Sequence, residues 1–546
     1  MGLRHATPLK FAPLGVCDSL DSTDNPPGAM ALLTNLIPDP STRNLFQCRP
    51  ASILQTSFSS FTTPGFISCM KILGTQVYGL IATSRNAGKD EPFSYNLITG
   101  LFTAVGGTIN GTTCPTSPSA IGAWTPPTMD LVGVNILVTH PGYNGSGGAY
   151  FGYFDITDPA APTWNAGNLT GAITFTTTAP SSVKNFNGRA YWAVNPPAGQ
   201  PALIFSDVLV PRNVTAGTQV LTFDDNLPLT ALGALGVNTQ LTGAVTQSLI
   251  VFKGTSGMFQ ITGDAATSNL AKNALNVPTG TLAPNSVCST PKGLAFVSPE
   301  GVRIIDFSTT VSDPIGIAGS GITVPFTFAV TPSRMVAAAG GNILRVSCQN
   351  GNAVGTPNQE YWFDFARGLW TGPHSFPASL IVPYNNSFIM TPLGVTAKLF
   401  QSDTVQSGTS TYTENGNQLS FAYQTSMLPD TDQMAEYNML ETTLYMALVA
   451  GSGAISCRAL DQDGTVLDTV AVSLTGSATV WGTFTWGQAL WQGAAGALFP
   501  RQLPWTIPIV FRRMALSATG QSVSGFKIGR LHLRYEQLGY LQQVAS

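Results

Sequence analysis

Two widely separated stretches of this chain are near copies of each other. Tyr95-Asn96-Leu97-Ile98-Thr99-Gly100-Leu101-Phe102-Thr103 and Phe363-Asp364-Phe365-Ala366-Arg367-Gly368-Leu369-Trp370-Thr371 share one form: aromatic, Asn or Asp, apolar, two variable residues, Gly, Leu, aromatic, Thr. A third copy, Tyr153-Phe154-Asp155-Ile156-Thr157-Asp158 followed by Thr163-Trp164, keeps the ends and lengthens the middle. Physically the unit is a strand, a turn in which glycine supplies a positive φ, and a return strand whose aromatic packs back on the sheet. The Asn or Asp side chain caps such a turn by accepting from backbone N–H groups just ahead of it.

Weaker relatives at 203–207, 257–260 and 303–307 fill the interval. With the polar position as marker, the units fall at 96, 155, 207, 260, 306 and 364, in steps of 46 to 59 residues. Each also carries an earlier apolar run, at 77–82, 134–139, 190–194, 249–253, 293–297 and 343–347. Four short strands in about 50 residues is the size of a propeller blade. Six blades are countable, and 379–400 reads as a seventh or as the segment that closes the ring. Unrelated hairpins in a sandwich are the competing reading; the near-identical copies favour a β-propeller of six or seven blades over 61–400.

From residue 401 the pattern changes. A polar, turn-rich stretch at 401–418 reads as a linker, and longer alternating strands follow at 419–425, 442–449, 455–459, 465–474, 479–485, 507–516 and 525–535. Evenly spaced strands of this kind predict a β-sandwich of jelly-roll type over 401–546. Residues 1–60, rich in Pro and Asn, read as an N-terminal arm and loops packed on the propeller. Helical periodicity is confined to 29–36 and 433–441, so the fold class expected is all-β.

Chemistry is sparse. Only 10% of residues are charged, against about 25% in a typical soluble domain, and the net charge is −3. A surface so poor in charge suits a subunit whose faces are covered by neighbours. The lack of a basic excess argues against tight nucleic-acid binding. Seven scattered cysteines without CxxC spacing predict reduced thiols and no zinc site. The four histidines, His5, His140, His374 and His532, have no near partner of metal-ligand spacing and read as structural. No nucleophile elbow, Walker A loop or HExxH helix occurs, so no catalytic residue, cofactor or metal is expected. Asp461-Gln462-Asp463-Gly464-Thr465 reads as a hairpin turn, not a calcium loop. Neither a signal-peptide core nor an uninterrupted apolar run of 18 residues is present, so no membrane span is expected.

One cluster stands out as a candidate interface: Arg512, Arg513, Lys527, Arg530 and Arg534. Strict alternation would set Lys527 on the face opposite Arg530, His532 and Arg534. An acidic neighbour, DNA or plain solvent are the readings this cluster leaves open.

Three segments carry a family resemblance. They are Thr290-Pro291-Lys292-Gly293-Leu294-Ala295-Phe296-Val297-Ser298 running into 302–307 and Ser312-Asp313-Pro314-Ile315-Gly316; the stretch 361–371; and Arg512-Arg513 with Gly525-Phe526-Lys527-Ile528-Gly529-Arg530-Leu531-His532-Leu533-Arg534-Tyr535. Over about 290–535 the chain resembles the tail nozzle (tail hub, or packaged-DNA stabilisation) proteins of short-tailed bacteriophages. The resemblance implies a virion tail protein, made in the host cytoplasm, that forms a homo-oligomeric ring, a hexamer. That ring would sit beside a portal or adaptor ring and tail fibres or spikes, retain the packaged genome, and conduct double-stranded DNA at ejection without chemistry of its own. The alternative is a receptor- or glycan-binding propeller, with glycan cleavage by paired carboxylates in its centre.

Overall fold

The computed structural model describes residues 4–12, 14–17, 25–26, 28–39, 45–57, 64–83, 90–105, 126–238, 245–263, 269–316, 329, 331–348, 359–392, 398–402, 412–428, 435–448, 451–476, 498–521 and 526–540. Within them the chain is all-β, and helix is confined to three-residue 3-10 turns such as Pro284–Ser286 and Pro332–Arg334.

Seven antiparallel sheets follow one another along the sequence. The first blade comprises Pro64–Leu73, Gln76–Thr83, Asp90–Asn96 and Phe102–Ala104, and the second Thr128–Val132, Asn135–Thr139, Phe151–Asp155 and Thr163–Gly167. The third is Ser182–Phe186, Arg189–Val194, Ala202–Phe205 and Val220–Thr222, and the fourth Leu229–Asn238, Val245–Lys253, Gly257–Thr262 and Ala271–Ala274. The fifth has three strands, Cys288–Thr290, Gly293–Ser298 and Gly301–Ile305; the sixth is Val336–Gly340, Ile343–Cys348, Gln359–Asp364 and Leu369–His374. The seventh begins Ala378–Tyr384, Ser387–Pro392, Lys398–Ser402. The first strand of each sheet packs against the first strand of the next, and that of the seventh against Pro64–Leu73, so the innermost strands close a ring.

The seventh blade takes its outermost strand from the other end of the propeller sequence. Ile53–Ser57 pairs antiparallel with Lys398–Ser402, Ile53 opposite Gln401 and Ser57 opposite Lys398. Hydrogen bonds between chain-distant strands therefore hold the ring shut.

The second strand of each blade is buried on both faces, which is why it reads as a continuous apolar run. Arg189–Val194 and Gly293–Ser298 are buried at every position. Aromatic pairs fill the wedges between blades, Phe151 against Trp192 at 4.4 Å and Phe252 against Phe296 at 5.1 Å. The repeated polar position caps its turn. Asn96 Oδ1 accepts from the N–H groups of Ile98 and Thr99 at 2.9 Å each, Asp306 Oδ1 from Ser308 and Thr310, and Asp364 Oδ1 from Ala366 and Arg367. Hydrogen bonds from Thr157 hold the Asp155 carboxyl below its usual range, and those from Ser308 do the same for Asp306. Gln260 departs from the pattern: it lies within its strand, where Nε2 donates to Ser248 Oγ at 2.8 Å.

The C-terminal region is a sandwich of two sheets. One contains Leu36–Pro38, Phe46–Cys48, Phe526–Tyr540, Ala435–Leu448 and Phe499–Gln502, with Arg4–Lys10 beside Phe526–Tyr540 and Val510–Phe511 beside Ala435–Leu448. The other contains Met30–Thr34, Ser420–Thr425, Met514–Gln521, Gly451–Asp461 and Val466–Gly476, and its edge meets the sixth blade where Leu33 faces Gly372. Phe421 and Phe526 stack at 4.1 Å between the sheets.

Residues 1–60 are thus not an arm laid over the propeller: their strands enter both sandwich sheets and the seventh blade. Of the stretches 29–36 and 433–441, the described residues Met30–Thr34 and those from Ala435 onward form strands, not helices. Ala435, Tyr437 and Met439 are buried at alternate positions, and the two-residue period decides over the helical one. The Asp461 turn is a hairpin, with Asp461 Oδ1 accepting from the Asp463 and Thr465 N–H groups and Gly464 at φ +78°. The strand expected at 479–485, and residues 403–411 of the expected linker, lie outside the described residues.

Candidate functional site

The seven innermost strands enclose a cavity of about 430 Å³ along the propeller axis. Most of its wall is aliphatic or small, with Ala337, Ala338, Leu380 and Val382 typical. Charge enters from one side only. Lys71, Asp130 and Lys184 occupy the same column of the repeat, two residues before the end of the innermost strand in the first three blades. Lys71 pairs with Asp130 Oδ1, and Lys184 Nζ lies 3.4 Å from Asp130 Oδ2. The Asn185 N–H donates to the same oxygen at 2.8 Å. Burial alone would raise Asp130, but Lys184, Lys71 and the Asn185 N–H together hold it below the usual carboxylate range. Lys71 and Lys184 line the cavity; Asp130 does not. Cys288 also lines it, its thiol pushed up to about 12 by burial.

A second polar assembly joins propeller to sandwich. Arg49 donates to Glu414 through Nη1 at 2.9 Å and Nη2 at 2.7 Å, to Asn35 Oδ1 through Nε at 2.8 Å, and to the Ser375 carbonyl at 2.9 Å. Glu414 Oε1 also accepts from the Ser52 N–H at 2.9 Å. The Asn35 N–H donates to His374 Nδ1 at 3.0 Å, and His374 Nε2 lies 3.0 Å from Thr371 Oγ1. Burial, reinforced by Arg49 and Arg345, drives His374 well below the usual histidine range, so it stays neutral. Alongside, Glu360 accepts from Arg345, Trp362, Ser347 and the Ala378 N–H, which ties the sixth blade to the seventh. These chains of buried charges are fully engaged, the condition under which such networks rigidify a structure.

The basic cluster is dispersed. Arg513 is buried, and Arg512 is half-exposed, 4.0 Å from Glu436. Lys527 pairs with the buried Asp39 at 2.9 Å, and Arg534 with Glu441 at 3.1 Å. Lys527 shares the outer face with Arg530, His532 and Arg534, contrary to strict alternation. The pairing register jumps from Arg530 to Ile528 opposite Tyr445 and Met446, so Gly529 forms a bulge that turns the rest of the strand over. Lys10 faces Arg530 across the neighbouring pair.

The remaining histidines engage locally. His140 Nδ1 accepts from the Gly142 N–H at 2.9 Å, leaving Nε2 to donate to Asp90 at 3.0 Å in a fully buried pair between the first two blades. His532 lies over Tyr445. Among the described residues no group of three or more His, Cys, Asp or Glu side chains is disposed to hold a metal, and no helix is long and apolar enough to cross a membrane.

The three segments that carry the family resemblance meet in space. Trp370 Nε1 donates to the Ile315 carbonyl at 2.7 Å, and Val302, Ile304, Phe363, Trp370, Phe526 and Leu533 belong to one hydrophobic core that runs from the fifth and sixth blades into the sandwich.

No family model and no curated protein matches the chain. Similar solved structures include the SapL1 lectin in complex with alpha methyl fucoside, 14% identical, covering 57% of this chain and 95% of the lectin at a TM-score of 0.32. Another is a glycoside hydrolase family 43 arabinoxylan arabinofuranohydrolase from Bacillus subtilis, 10% identical, covering 88% of this chain and 99% of that one at 0.26. A third is the β-propeller domain of the Trilobed protease from Pyrococcus furiosus, with an open velcro topology, 8% identical, covering 63% and 99% at 0.33. Scores of this size assign no activity, ligand or partner.

Proposed function

We propose that this chain is a non-catalytic structural subunit, a tail nozzle protein of a short-tailed phage. The observation that carries the reading is the shared core just described: the segments that resemble the nozzle family are those that weld propeller to sandwich. A rigid two-part subunit suits a ring that must hold its shape while a genome is retained and then released. The channel within the propeller, at about 430 Å³, is far too small to pass a double helix. The conduit in this reading is therefore the axis of a ring of copies, a hexamer, with the propellers outside it. The scarcity of charge supports buried faces between copies and a wall that does not grip a polyanion.

The second reading is a glycan-binding or glycan-cleaving propeller. Cleavage by a carboxylate pair in the propeller centre requires two acidic groups facing one space. Among the described residues that line this channel the ionisable groups are two lysines and two thiols; Asp130, paired to the lysines, does not line it. Imaging of the purified chain, alone and mixed with a portal–adaptor complex, tests the proposal. Rings with an axial opening are expected. A protein that stays monomeric in both conditions and binds or cleaves a bacterial polysaccharide would replace the first reading with the second.

A further inference from the structure

We infer that the propeller channel is a binding site for a small anionic group, a carboxylate or phosphate, seated between Lys71 and Lys184.

Two ammonium groups share one carboxylate, which leaves one positive charge in excess on the wall. Among the described lining residues no other charged side chain offsets it, and burial keeps the Cys288 and Cys69 thiols protonated. The excess charge lies on the wall of a cavity inside the propeller, where an ionic attraction is screened less than at an open surface.

Hydrogen-bond capacity points the same way. An ammonium group has three donors, and the bonds to Asp130 leave donors on both lysines unspent. Lys71 and Lys184 line the cavity with side chains 26% and 32% exposed, whereas Asp130, 8% exposed, does not line it. Cationic donors on the wall favour a ligand with acceptor oxygens. The volume lies within the usual range of small-molecule sites, about 300–1,000 Å³. Because the three charged residues share one column of the repeat on consecutive blades, the two ammonium groups flank a single point.

The test is titration of the full chain with inorganic phosphate and, separately, with succinate, by calorimetry at constant ionic strength set with sodium chloride. Saturable binding of one or both anions is expected, and their relative affinity tells phosphate from carboxylate recognition. Lys184→Gln, which leaves Lys71 on Asp130, should weaken binding about tenfold or more. Asp130→Asn frees both lysines and should tighten it several-fold, whereas a purely structural ion pair predicts no gain. No binding above the chloride background, an unchanged affinity in Lys184→Gln, or an Asp130→Asn protein that folds and binds no tighter would each overturn the inference. Should Asp130→Asn fail to fold, Lys184→Gln alone decides.

Discussion

Breaking the Arg49–Glu414 pair from either side should cost about as much as removing it whole. The two side chains are 3% and 6% exposed, and Arg49 also supplies Asn35 and the Ser375 carbonyl. Arg49→Met leaves a buried carboxylate without its partner, and Glu414→Met leaves a buried guanidinium. Each should destabilise by roughly 3–5 kcal/mol. The double replacement leaves no buried charge but orphans the Ser52 N–H and the Ser375 carbonyl. At about 1–3 kcal/mol for each orphan, it should cost about 2–6 kcal/mol, and the cycle should close with a coupling of about 3 kcal/mol or more. Guanidinium unfolding followed by tryptophan fluorescence supplies all four corners. The single variants should also split one transition into two, because the pair joins propeller to sandwich. Single costs below about 1 kcal/mol that simply add would refute the reasoning.

Two further outcomes follow from buried groups. His374 is neutral in the fold but titrates near pH 6.5 when unfolded, so the unfolded chain takes up a proton that the native one does not. Stability should then fall below about pH 6.5, by up to about 1.4 kcal/mol per pH unit. His374→Asn, which keeps an acceptor for the Asn35 N–H, should lose that component of the slope, and equal slopes between pH 5 and 7 would count against it. Gly152→Ala should cost about 1–3 kcal/mol, because its Cβ would lie 2.2 Å from the Trp164 ring and 2.5 Å from Tyr143 Oη. Gly167→Ala, with nothing within 4 Å, is the control, and equal unfolding midpoints for the two variants would contradict the packing.

What was legible in the sequence was what repeats. The second strands of the blades stood out because burial on both faces leaves no polar position to interrupt them, and the capped turns because Asn or Asp and Gly recur at a fixed interval. The partner of Ile53–Ser57 was not legible, since a strand pairing over more than three hundred residues leaves no local mark. Nor was the face of Lys527, because a single inserted residue at Gly529 reverses every side chain beyond it. The Lys71–Asp130–Lys184 column is hidden when the blades are aligned on their capped turns. Aligning the blades on their first strands, and not on the capped turns, brings the three residues into one column.

The strand that shuts the ring also sets an order of events. Ser57 pairs with Lys398, 341 positions later. At synthesis rates of about 5–20 residues per second, that interval lasts on the order of 20–70 s. Throughout it the early strand has no mate, and six blades stand in an open arc with two unpaired ends, the kind of edge that recruits other chains. Closure brings together the most distant contacts and should be among the slow steps of folding. A chain cut short before residue 398 has nothing to zip onto its own beginning, which makes the closed propeller a signature of synthesis past that strand.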